Sequence, residues 1–268
     1  MGQLEQKYAW SNSRIKLLRE CMYKYYLNYY QSWGGWAQGA TEESRQAYMM
    51  KNMTNMYMFV GSIIHDVIEQ IIKEGRETGI HPPVETAEDM VVQKLRRGWV
   101  ESEQKRWQKN AKQYVNLAEH YYKEEITDDR LQYFKRKATS CIRGFYKTPL
   151  YQTIKHLNKD DWITIEEFQS FKLKNGEDVS VKIDTGFRHN GCVFLIDWKT
   201  GKVNNDVIEQ LVVYAMYALK MGWAKKPEDI IIVPIYLSFT EDKNHALGST
   251  VSMQQIKHQA NIIKKEYP

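Results

Sequence analysis

The stretch CVFLIDWKTGK, Cys192–Lys202, decides the reading of this chain. Apolar residues run from Cys192 to Trp198, interrupted only by Asp197. Lys199 follows, and the run breaks at Thr200-Gly201. In a strand, side chains two apart share a face. Val193, Leu195, Asp197 and Lys199 then lie on one face, and Phe194, Ile196 and Trp198 on the other. An anion and a cation sit side by side at the end of a buried strand, where either charge is costly to bury without a partner or a task. Acid-x-Lys spacing alone carries little, since Glu103-Gln104-Lys105 has it too. What sets 197–199 apart is the apolar strand before it and the glycine turn after it.

Two more strands precede this one. WITIEEFQSFKL (162–173) alternates, NGED (175–178) reads as a turn, VSVKIDTGF (179–187) alternates again and RHNG (188–191) is a second turn. Short turns of this kind imply an antiparallel meander. Residues 205–221 read as a helix. DIIIVPIYLSF (229–239) is a fourth strand, reached by a crossover long enough for parallel pairing, and Pro234 within it marks an edge or a bulge. Further upstream, FVGSIIHDVIEQIIKEG (59–75) carries an amphipathic stripe of Ile64, Val67, Ile68, Ile71 and Ile72, with Gly75 as the predicted stop. The predicted core is therefore α/β, in the order helix–strand–strand–strand–helix–strand.

The remainder is helical in texture. Residues 12–31 read as a Tyr-rich helix, followed by a break at Gly34, Gly35 and Gly39 and a methionine-rich stretch over 49–58. A long helical region, about 86–147, is dense in Lys, Arg, Trp and Tyr. One domain over 1–268 is expected, with a large helical portion (1–160) and a strand-rich core at about 161–240. A formal net charge of +5 permits a polyanionic partner without requiring one. Cys21, Cys141 and Cys192 are far apart and lack CxxC spacing, which suits reduced thiols better than a disulfide or zinc framework. No apolar run has the length of a membrane span, and no signal-like run opens the chain, so a cytoplasmic location without membrane association is expected.

Asp184 lies on the second strand, which pairing would bring beside Asp197. Two adjacent carboxylates repel unless a cation lies between them, and a hard divalent cation satisfies both. Lys199, a compact point charge on the Asp197 face, suits stabilisation of charge developing on a phosphoryl group, or the orientation of water.

The run KIDTGFRHNGCVFLIDWKTGK followed by DVIEQLVVYAMYAL (182–219) closely resembles the RecB-like branch of the PD-(D/E)XK nucleases. Asp184, Asp197, Lys199, Gln210 and Tyr214 occupy that branch's Asp, D-x-K-T and Q-x-x-x-Y positions. GSIIHDVIEQ resembles its G-x-x-x-H helix, through Gly61 and His65, and SNSRIKLLRECMYKYYLNYY (11–30) its opening segment. The resemblance implies a restriction-endonuclease-like fold and magnesium or manganese held by Asp184, Asp197 and His65. It also implies a carboxylate from the first strand, either Glu166 or Glu167, with Glu166 favoured by its place after ITI. Lys199, Gln210 and Tyr214 would complete the catalytic set. Ile183 stands where the superfamily name has Pro, Lys182 where Gly is frequent, and Met22 where Pro usually follows the N-terminal Cys. Some relatives hold an iron–sulfur cluster through that Cys and three more near the C-terminus. No cysteine follows Cys192, so no iron–sulfur cluster is expected.

The implied activity is metal-dependent hydrolysis of DNA, as an exonuclease acting on single strands or duplex ends; nothing in the sequence indicates a protein partner. Arg97, Lys105 and Arg106 offer phosphate contacts and Trp107 a stacking surface. The alternative is an inactive nucleic-acid-binding or partner-binding module on the same fold, for which a broken metal set would be the signature.

Overall fold

The computed structural model of the protein describes residues 8–202, 206–237 and 249–266. In chain order its elements begin with the helices α1 (Asn12–Glu20), α2 (Met22–Tyr26), α3 (Glu42–Lys51), α4 (Met56–Thr78), α5 (Val84–Glu103), α6 (Ala118–Tyr121), α7 (Asp128–Lys147) and α8 (Pro149–Ile154). There follow β1 (Trp162–Lys172), β2 (Asp178–His189), β3 (Cys192–Lys199), α9 (Asp206–Lys220), β4 (Ile230–Tyr236), β5 (Ser249–Thr250) and α10 (Met253–Glu266). Two compact units result. One comprises the described residues up to Val60 with Gln93–Phe134; the other comprises Gly61–Val92 and those from Lys135 onward.

The second unit holds one mixed sheet in the order β1-β2-β3-β4-β5. Strands β1, β2 and β3 form the expected antiparallel meander, and β4 joins β3 in parallel through α9. The second hairpin turns on Asn190-Gly191, with His189 opposite Cys192. Pro234 pairs with Asp197 across β3, while β5 reaches only Ile231 and Ile232 on the other side of β4. The proline thus lies where no neighbour among the described residues needs its missing N–H. Ser238 and Phe239, expected to end the fourth strand, lie outside the described residues. Neither β5 nor α10 was anticipated; two polar residues carry no strand pattern.

Burial explains the two helices that matter for the site. In α4, Ile64, Val67, Ile68, Ile71 and Ile72 are all buried, as the stripe requires. Each such side chain stabilises the fold by roughly 1.5–3 kcal/mol. The helix does not stop at Gly75 as predicted. It runs to Thr78 and ends at Gly79 (φ 72°), and Gly75 is instead a packing position, where a Cβ would strike the His81 ring. Helix α9 is buried on nearly every side from Leu211 to Ala218, as its almost unbroken apolar sequence demands.

The first unit is helical. The predicted helix over 12–31 breaks at Cys21, whose backbone is extended because its thiol caps α2, accepting from the Lys24 amide at 3.4 Å. After α2 the chain continues as a π-helical turn, Leu27–Gln31. Arg14 is buried, bonded to the Tyr25 hydroxyl at 3.0 Å and lying over the Tyr8 and Tyr29 rings. The region 86–147 is not continuous helix: between α5 and α7 lie turns, a single 3-10 turn at Arg106–Gln108 and the four residues of α6. That interruption places Glu119 at the start of α4, where its carboxylate accepts from the Met56 amide at 3.0 and 3.2 Å, a favourable charge for a helix N-terminus. Among the described residues no helix is long and apolar enough to cross a membrane.

Candidate metal centre

Beyond an irregularity between Trp162 and Thr164, the β1–β2 ladder is interrupted at Glu166. Ile165 pairs with Thr185 and Glu167 with Ile183, but Glu166 between them has a left-handed backbone (φ 54°), which register sets opposite Asp184. For a residue with a side chain that conformation costs of order 1–3 kcal/mol. On the other side of β2, pairing with β3 ends at Thr185–Ile196. One step further, the Asp184 carboxylate accepts the Trp198 amide at 2.8 Å. Carboxylates of β1, β2 and β3 therefore converge where the strands part.

Helix α4 supplies the imidazole. It approaches closely at Gly61, where a Cβ would stand 3.1 Å from the Thr200 hydroxyl, directly after β3. One turn later His65 places Nδ1 3.2 Å from Glu166 Oε1 and 3.5 Å from Asp184 Oδ2. Each of the three offers a ligand atom within 4.8 Å of the others. One imidazole nitrogen with two carboxylate oxygens is a donor set that divalent manganese accepts well and magnesium accepts through its oxygens.

Asp197 stands beside this cluster, its Oδ1 hydrogen-bonded and its buried Oδ2 met by an ion pair without a hydrogen bond. Lys199 Nζ lies 2.6 Å from Oδ2, and Gln210 Nε2 donates to Oδ1 at 3.0 Å. The same amide donates to the Tyr214 hydroxyl, and Gln210 Oε1 accepts from Lys199 at 3.4 Å. Four residues from β3 and one face of α9 thus form a connected network. Glu167 points away, is exposed, and accepts from Gln169. Lys182 is a contact that the sequence reading did not use: its Nζ lies 2.5 Å from Glu166 Oε2. The signal was available, because Lys182 precedes Asp184 by two and so shares its face.

The electrostatics follow from burial. Desolvation raises the Asp184 pKa to about 7, and the negative charge of Asp197 adds to it. Asp197 is also raised by burial, against the opposing pull of Lys199. Burial pulls His65 down, but the hydrogen bond to Glu166 and the surrounding carboxylates outweigh it and hold the imidazole above its ordinary value. For Glu166, burial is outweighed by His65 and Lys182, which hold the carboxyl below its ordinary value. Burial keeps the Tyr214 phenol well above 10, so it retains its proton. The cluster is short of positive charge: without a further cation it keeps a proton on a group that would otherwise be ionised.

The other candidates belong to the first unit. Arg97 pairs with Glu101 at 2.8 Å, Arg106 bonds Gln104, and Lys105 is exposed. Trp107 is 6% exposed, with its ring against Tyr121, so it offers no face to a base. Its position in an apolar contact, rather than on a continuous helix surface, explains the difference.

A three-stranded meander joined through a helix to a parallel fourth strand, with one acid from each of β1, β2 and β3 gathered beside α4, is the architecture of an α/β protein with a candidate metal centre. The family model of the PD-(D/E)XK nuclease superfamily matches residues 9–266, and the chain belongs to that superfamily. No curated protein compared with the chain matches it. Nucleases of this superfamily use divalent metals, and His65, Glu166 and Asp184 form a group whose ligand atoms are close enough together to hold one.

Proposed function

We propose that the protein is a metal-dependent deoxyribonuclease of the RecB-like branch, an exonuclease acting on single strands or duplex ends. The observation that carries this reading is the convergence of His65, Glu166 and Asp184 beside the Asp197–Lys199 pair. Glu166, Asp184 and His65 would hold magnesium or manganese, with Asp197 as a further ligand. A divalent cation bound there supplies charge neutralisation at the scissile phosphate and acidifies water. The protein's own groups do the rest. Lys199, held by Asp197 and Gln210, presents an ammonium to the charge that develops on phosphate and orients the attacking water. Gln210 fixes that lysine and is itself fixed by Tyr214. Against the inactive-module alternative stands a donor set in which His65, Glu166 and Asp184 meet, with the fourth expected group, Asp197, beside them in its pair with Lys199.

The assay compares linear single-stranded DNA, linear duplex and covalently closed circles of one sequence, with manganese at fixed salt. Linear single strands should be degraded fastest, and chelation should stop all cleavage. Closed circles cut as quickly as linear molecules would replace the exonuclease with an endonuclease; RNA cut in preference to DNA would change the substrate. No cleavage of any substrate, with manganese bound, would favour the inactive module.

A further inference from the structure

The first unit contains a cleft of about 990 Å³, lined by residues of the 33–52 and 107–113 segments and by none of the metal-centre residues. Its chemistry is one-sided. Arg45, Lys51, Lys109 and Lys112 line it, and no acidic residue does so among the described residues. Lys51 is held below its ordinary pKa, first by desolvation and then by the positive charges of Arg14 and Lys112, which shows how closely the cations are gathered.

Aromatic rings stand among these cations. Trp33 and Trp36 are exposed on the turn after the π-helical segment, 5.2 Å apart and edge to face, and Trp36 lies 5.5 Å from Tyr48 of α3. The turn is built to press against α3. A Cβ on Gly35 would come within 2.3 Å of the Ser44 carbonyl oxygen and 2.6 Å of Tyr48 Cβ, so only glycine allows the approach. Arg45, Tyr48 and Lys51 recur at three-residue spacing, which puts them on neighbouring positions of one helix flank. Exposed indoles are expensive surface for a protein to maintain, and cations without counter-charges call for a polyanion.

We infer that this cleft binds single-stranded nucleic acid, with bases stacked on Trp33 and Trp36 and phosphates on Arg45, Lys51, Lys109 and Lys112. Rings plus a tracking positive groove are what sequence-tolerant single-strand binding requires, and a duplex would keep its base faces hidden. The inference rests on the nuclease reading only for the choice of nucleic acid among polyanions. The site meets the one expected on the 97–107 segment only at Trp107, which lines the cleft but is itself only 6% exposed.

The test uses the full chain in EDTA, where cleavage is not expected, with a fluorescently labelled twelve-residue oligothymidylate followed by anisotropy. Trp33→Ala with Trp36→Ala should weaken binding at least about tenfold, with Trp33→Phe and Trp36→Phe restoring most of it. Lys51→Ala with Lys112→Ala should flatten the dependence of log affinity on log salt by about 1.4, the loss of two single-strand phosphate contacts. Circular dichroism confirms that each variant is folded. Unchanged affinity and salt slope in these variants would overturn the inference, as would tighter binding of duplex. Heparin bound as tightly, without dependence on the two indoles, would reduce the cleft to a generic basic surface and also overturn it. Binding at the cleft without metal-dependent cleavage would defeat the nuclease reading alone. Cleavage lost in Lys199→Ala, with cleft variants binding normally, would defeat this inference alone.

Discussion

The carboxylate of Asp184 accepts a hydrogen bond from the backbone amide of Trp198 at 2.8 Å, and Trp198 is the residue between Asp197 and Lys199. One side chain of β2 therefore fixes the backbone that carries the next acid and the lysine. It does so where the ladder between β2 and β3 has ended, in place of a ladder bond. The same carboxylate faces His65 at 3.5 Å. Asp184 is thus both a candidate ligand and the tie that orients Asp197 and Lys199.

Asp184→Asn separates these roles, because the amide keeps an oxygen for the Trp198 N–H but loses the charge. The protein should fold, while its manganese affinity by titration calorimetry should fall at least about tenfold, no less than the loss of a supporting contact to a ligand. Equal affinity in both proteins would remove Asp184 from the metal shell.

Lys199→Ala and Asp197→Ala should each lower cleavage at least about a hundredfold, the order observed on removing one electrostatic stabiliser. Lys199 is partly exposed and its removal leaves no cavity in the core, so the variant should remain folded. Asp197 is 1% exposed and anchors both Lys199 and Gln210, so its conservative partner Asp197→Asn belongs in the series. A folded Lys199→Ala protein that cuts at the wild-type rate would sink the assignment.

His65 predicts the choice of metal. Magnesium takes nitrogen ligands reluctantly and manganese accepts them more readily. Manganese should support faster cleavage than magnesium, and His65→Ala should narrow the ratio while lowering manganese affinity. A ratio unchanged by the substitution would place the imidazole outside the metal shell.

The meander and its parallel fourth strand were legible because alternation and two short turns leave few other topologies. Asp197 and Lys199 followed from strand parity, Asp184 from the pairing of adjacent strands, and His65 only from the resemblance to the family's G-x-x-x-H helix. What could not be read was produced by tertiary packing. No local signal marks Glu166 as left-handed, so periodicity alone could not separate it from Glu167. Gly75 looked like a helix stop because glycine commonly ends helices, but there it makes room for His81. Trp107 looked available because a basic, aromatic segment says nothing of which ring is covered. Gly35, which presses the Trp33–Trp36 turn onto α3, acts through a neighbour distant enough in sequence to leave no pattern.

Lys182 tests how Glu166 is held in its unusual conformation. The Glu166 carboxylate is clamped between His65 on one oxygen and Lys182 on the other. Lys182→Ala should leave the fold intact, since the ammonium is more than half exposed. It should release the carboxylate and raise the Glu166 pKa toward its ordinary value, read by an NMR titration of the Glu166 carboxyl carbon in EDTA. Lys182→Arg should restore the depressed value. A Glu166 titration unchanged in Lys182→Ala would make Lys182 a surface charge without a positioning role.

The last prediction concerns stability in the absence of metal. Asp184 has a folded-state pKa raised from 3.8 to about 7, first by burial and then by Asp197. Between those values the folded protein holds a proton that the unfolded chain has released, so stability falls as pH rises through the window. His65 acts in the same sense: its folded pKa is held above 6.5 by Glu166 and its acidic neighbours despite burial, so its contribution is full at low pH and lost as pH rises. Glu166, depressed by His65 and Lys182, has the opposite sign, but its window lies below 4.5 and leaves the neutral range untouched. The melting temperature in EDTA should therefore fall by a few degrees from pH 5.5 to 8, and Asp184→Asn should flatten most of that slope. Bound manganese requires the deprotonated ligands, so its stabilisation should be largest at the alkaline end, where the free protein is weakest. A melting temperature that rises over this range in EDTA, unaltered by Asp184→Asn, would mean that the carboxylates of β1, β2 and β3 are not crowded enough to keep the proton that a cation would displace.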